Sequence, residues 1–86
     1  MRLDDLVEIL PKHDFVSVDF DKCLALINAA DKLLYRWSTE LSAVPVICVF
    51  TAHEPDYWIC TFDELTDVQQ FADKLSLPLE EFKECN

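Results

Sequence analysis

Glycine is absent from this 86-residue chain, where average usage of ~7% would supply about six. Its absence excludes Gly-rich phosphate loops, dinucleotide fingerprints and nucleophile elbows, all of which need glycine for close backbone approach or positive φ. Turns fall instead to Pro11, Pro45, Pro55 and Pro78 together with Asp, Asn, Ser and His. Bases are scarce as well. Seven Lys and Arg stand against 17 Asp and Glu, a formal charge of -10. Seven scattered bases make no stripe, and a field of this sign repels nucleic acid and anionic membrane, so neither is an expected partner. The longest apolar run, residues 43–50, is eight long, far short of the ~20 that a membrane span needs. Residues 1–8 place Asp4, Asp5 and Glu8 where a secretory signal needs a basic start and an apolar run. The expectation is a cytoplasmic protein whose Cys23, Cys48, Cys60 and Cys85 are reduced thiols.

Against these absences the chain is rich in what builds a core. It is 51% apolar, with two Trp, two Tyr and six Phe, which contradicts the low-hydrophobicity half of the signature of disorder. No repeat, low-complexity tract or linker divides it, so residues 1–86 are read as one domain. A domain this small buries only ~60–65% of its unfolded surface. Support from a partner or a second copy would therefore be no surprise.

Periodicity sketches the elements. Leu3, Leu6, Val7 and Leu10 form a helical stripe over residues 2–10, with Asp4, Asp5 and Glu8 toward water, and Pro11 ends it. Residues 12–17 read as a connector anchored by Phe15, with a short strand at 15–18 as an alternative. Capped by Ser17 or Asp19, a main helix is predicted over 20–41, where Phe20, Leu24, Ile27, Leu34, Trp37 and Leu41 recur at spacings of three, four and seven. Residues 44–52 and 57–62 are β-rich, and His53, Glu54, Pro55 and Asp56 between them read as a turn, giving a β-hairpin. Setting Cys48 opposite Cys60 gathers Val46, Cys48, Phe50, Trp58, Cys60 and Phe62 on one face. Thr61 and Glu64 have capping-box spacing before a helix to about residue 75, and Pro78 suits the start of a last helical turn to about 83. The predicted fold is α+β, order α-α-β-β-α-α, an antiparallel hairpin packed on helices, with Trp37 and Trp58 buried.

Candidate chemistry is sparse. His13, His53 and the four cysteines supply donor atoms, yet no Cys-x-x-Cys or His-x-x-x-His pair is present, and Cys23 and Cys48 sit in apolar patterns as small hydrophobes. No metal or other cofactor is expected. A Cys48–Cys60 disulfide is conceivable in the assumed register but needs an oxidising compartment. His53, Glu54 and Asp56 cluster at the hairpin turn without a nucleophile in a recognisable context. Paired carboxylates at Asp4 and Asp5, Asp63 and Glu64, and Glu80 and Glu81 occupy first helical turns or solvated faces. The chain is read as non-enzymatic, with no catalytic residue.

The acidity itself is the remaining signal. From residue 53 onward nine acids face Lys74 and Lys83, a charge of -7, against -3 for residues 1–52. Glu54, Asp56, Asp63, Glu64, Asp67 and Asp73 are the candidate partner-binding residues, a row of carboxylates that can stand in for phosphates in a Lys/Arg-lined groove. Carboxylates that merely keep a protein soluble explain the same composition. In physical type, though in no specific motif, the chain resembles small acidic phage and mobile-element proteins that inhibit host nucleic-acid machinery, including anti-CRISPR and anti-restriction proteins. That likeness implies a cytoplasmic inhibitor of a basic, nucleic-acid-binding protein surface. An immunity protein for a basic nuclease toxin fits equally, and the alternative class is a structural or accessory homodimer.

Overall fold

The computed structural model describes residues 5, 8, 20–41 and 43–83. They form an α+β domain of two helices and a mixed four-stranded sheet: α1 (Phe20–Ala29), β1 (Leu33–Ser38), β2 (Val46–Thr51), β3 (Glu54–Phe62), α2 (Leu65–Leu75) and β4 (Leu79–Glu81). The sheet order is β3-β2-β1-β4, antiparallel except for the parallel β1/β4 pair. Asp5 and Glu8 are helical and exposed, as the stripe reading of residues 2–10 places them. The remainder of that helix, the connector at 12–17, the caps at Ser17 and Asp19, and Cys85 lie outside the described residues.

The largest departure from the sequence reading is the main helix. It ends at Ala29, where the amide of Ala30 closes a last turn on the Ile27 carbonyl at 3.1 Å, and residues 33–38 become the interior strand β1. The apolar positions after Asp31 fit both periods. Leu34, Trp37 and Leu41 continue a helical spacing, but Leu33, Tyr35 and Trp37 alternate as a strand does, and pairing with β2 and β4 decides between them. The last predicted helical turn is likewise a strand, with Leu79, Glu80 and Glu81 beside Leu33, Leu34 and Tyr35. Backbone bonds from Leu33 to the Pro78 carbonyl and from Phe82 to the Tyr35 carbonyl, both 2.8 Å, fasten its two ends. The observed order over the described elements is therefore α-β-β-β-α-β.

The hairpin forms, with a tighter turn and another register. Ala52 and His53 make the turn, and Glu54, Pro55 and Asp56 already belong to β3. Proline is tolerated there because β3 is an edge strand. Cys48 lies opposite Thr61, and Val49 opposite Cys60, one step from the predicted pairing. A one-residue slip exchanges faces, so Cys48 and Cys60 project from opposite sides of the sheet and the conceivable disulfide between them is excluded. Ile59 is the extra residue of a bulge between the Val49–Cys60 and Phe50–Trp58 pairs.

One face of the sheet carries both helices. Leu33, Ile47, Val49, Ile59, Cys60 and Phe62 meet Cys23 and Ile27 of α1 and Val68, Phe71 and Ala72 of α2, with the rings of Phe62 and Phe71 5.5 Å apart. Leu34, Cys48 and Phe50 of the other face are also buried, and the Phe82 ring stands edge-on to Phe50 at 5.3 Å. α2 begins without the predicted capping box. Its N-cap is Glu64, no side chain caps it, and Thr61 remains in β3.

Candidate partner-binding surface

Chain direction decides which acids can act together. β3 runs from Glu54, beside the turn, to Phe62, beside Ile47 at the start of β2. Eight steps at ~3.3 Å put its ends up to about 26 Å apart. Glu54 and Asp56 therefore lie toward one end of the sheet, whereas Asp63 and Glu64, in the two-residue link to α2, and Asp67, in its first turn, lie at the other. Asp73 is on the last turns of α2, where the Gln69 side-chain amide donates to it at 3.0 Å. The six carboxylates are thus distributed as a pair, a triplet and a single residue.

Their ion-pair partners differ too. Lys22 on α1 donates to Glu54 Oε1 at 3.1 Å and approaches Oε2 at 2.9 Å, while its ammonium lies 5.7 Å from the centre of the Tyr57 ring. Glu54 is half-buried and ion-paired with Lys22 at the surface. This contact, together with a bond from the Cys23 thiol to the Ile59 carbonyl at 3.8 Å, holds α1 against the edge strand. Lys32 is engaged similarly with Glu80 at 2.8 Å. By contrast Asp56, Asp63, Glu64 and Asp67 are exposed, and among the described residues no cation pairs with them.

Two concavities mark the far end of β1 and the sheet face bearing Phe50. One, of about 350 Å³, is lined by Arg36, Trp37, Glu81 and Phe82. The other, of about 200 Å³, is lined by Arg36, Phe50, Pro55, Asp56 and Phe82. The described cysteines Cys23, Cys48 and Cys60 are buried thiols outside any disulfide. Burial pushes the Cys60 thiol well up from its ordinary range, with Cys23 and Cys48 adding to the effect. Burial also raises the Cys48 thiol, which Arg36 opposes and Glu40 reinforces. Such thiols stay protonated and are poor nucleophiles. Among the described residues no group of three His, Cys, Asp or Glu is arranged to hold a metal ion, and no helix is long and apolar enough to cross a membrane.

Trp37 corrects the sequence reading most directly. Predicted in the core, it is half exposed, and Trp58 is only partly buried. On a helix Trp37 would have shared the stripe of Leu34 and Leu41. As the next-to-last residue of β1 it stands near the end of the sheet, beside the core residue Ile47 but outside the core cluster itself. Comparison with protein-family models, with curated proteins and with solved structures found no match for this chain.

Proposed function

We propose that this protein is a small non-enzymatic inhibitor that occupies a basic, nucleic-acid-binding surface of a protein partner, its carboxylates taking the place of phosphates. The observation that carries this reading is the exposed triplet Asp63, Glu64 and Asp67, placed at one strand-to-helix junction and without an internal cation among the described residues. Two of the described bases, Lys22 and Lys32, are engaged with Glu54 and Glu80, away from the triplet. Carboxylates fixed in this way pair with guanidinium groups and steer encounter with a basic surface. In this respect the protein is of the physical type of phage and mobile-element inhibitors that act by nucleic-acid mimicry.

The test uses paired baits in extracts of the native source: the natural chain and the variant Asp63→Lys/Glu64→Lys/Asp67→Lys. A nucleic-acid-binding protein captured by the first and lost by the second is the expected result. Capture of the same proteins by both baits would return the acidic surface to a solubilising role.

A further inference from the structure

Five large apolar side chains among the described residues are exposed, and four of them gather at one end of the sheet. Trp37 (51% exposed) ends β1, Leu41 (43%) and Val44 (68%) lie in the loop from β1 to β2, and Leu65 (42%) opens α2. Strand register brings them together. Trp37, Ile47 and Phe62 stand side by side across β1, β2 and β3, so the β1–β2 loop and the β3–α2 link leave the sheet at the same end, about 10 Å apart at two strand spacings. Asp63 and Glu64 occupy that link and Glu40 that loop, all exposed. The Ser38 hydroxyl accepts a bond from the Glu40 amide at 3.1 Å and fixes the start of the loop. Trp37 also lines the larger concavity, together with Arg36, Glu81 and Phe82.

Apolar anchors inside a charged rim are the anatomy of a protein interface, where the desolvated centre holds affinity and the rim sets partner and approach. From this arrangement we infer that Trp37, Leu41, Val44 and Leu65 form the anchoring centre of the docking surface, with Glu40, Asp63 and Glu64 as its rim. The occupant is a basic protein surface bearing exposed apolar side chains among its Lys and Arg. The inference rests on the reading of Asp63 and Glu64 as recognition residues and adds what fills the space between them. Charge argues against a second copy in this place, since each chain carries -10 and the two carboxylate rims would face each other.

The test uses two synthetic probes of equal length and charge, a lysine–leucine amphipathic peptide and a lysine–serine peptide, with binding read by anisotropy. The natural chain should prefer the first by roughly tenfold or more, as an anchoring contact adds at least that much. Leu41→Ser/Val44→Ser, confined to an exposed loop, and separately Trp37→Ser, should erase the preference while leaving affinity for the lysine–serine peptide unchanged. Preference that survives in both variants overturns the inference. Asp63→Lys/Glu64→Lys should weaken both peptides, and unchanged affinity for lysine–serine would refute the acidic reading itself, whatever the apolar variants do. Sedimentation of the natural chain should show a monomer. A dimer dissolved by Leu41→Ser/Val44→Ser would assign the patch to a second copy and overturn the proposal.

Discussion

Ser76 sits in the left-handed region, φ 57° and ψ 36°, at the C-terminus of α2. The conformation is needed because its amide and that of Leu77 turn back to the Ala72 and Asp73 carbonyls and close the helix. Glycine is the usual residue where a helix ends in this conformation, and here none exists to take it. An L-residue in that region costs about 1–2 kcal/mol, part of which glycine forfeits through its freer unfolded chain, so Ser76→Gly should raise stability by up to ~1 kcal/mol. A urea melt checks this: the midpoint should rise with an unchanged slope, and a lower midpoint would mean that the Ser76 side chain does more than tolerate its backbone. Other single residues were less legible from sequence. Glu54 read as a solvated turn acid, and nothing local reveals that Lys22, 32 positions away, pairs with it. Trp37 read as core because a spacing of three from Leu34 and four to Leu41 is what a helix shows, while its true cross-strand neighbour Ile47 is set by sheet register.

Elements were legible where the signal is local. The helix ending at Leu75, the strands near 46–51 and 57–62, and the break at residues 76–78 follow from periodicity and turn chemistry. β1 and β4 were hidden for a common reason. Their strand state rests on pairing, of β1 with β2 and of β4 with β1 about 45 residues away, and Pro78 followed by Leu79, Glu80 and Glu81 carries a helix-start pattern that such pairing overrides. The bulge at Ile59 likewise shifts the register in a way that alternation alone does not show. If β4 fastens the sheet as described, Phe82 matters through its edge-on contact with Phe50. Phe82→Ala should cost about 1–3 kcal/mol, less than a fully buried Phe because the ring is only partly covered. A thermal melt unchanged by that substitution would contradict the packing of the C-terminal strand against the sheet.

At the scale of the whole molecule, one end of the sheet brings together what the sequence keeps apart: apolar side chains from β1, its loop and α2, and carboxylates from the loop and the β3–α2 link. The acids of the candidate site were visible in the sequence by composition, but their grouping was not. A continuous row was the natural reading, and the length of β3 separates Glu54 and Asp56 from the triplet. A recognition surface at this end depends on position as well as on charge, and position is what distinguishes it from general acidity. Exposed charges contribute little to stability, so reversing them should leave folding cooperative and isolate binding. The direct measurement is competition with nucleic acid on the captured partner, comparing Asp63→Lys/Glu64→Lys/Asp67→Lys with Asp5→Lys/Glu8→Lys/Asp31→Lys, which reverses three exposed acids elsewhere. Displacement should fall at least tenfold for the first variant and stay near natural for the second, the loss growing larger at low salt where screening is weak. Equal loss in the two variants, or none in the first, would contradict a localised recognition surface.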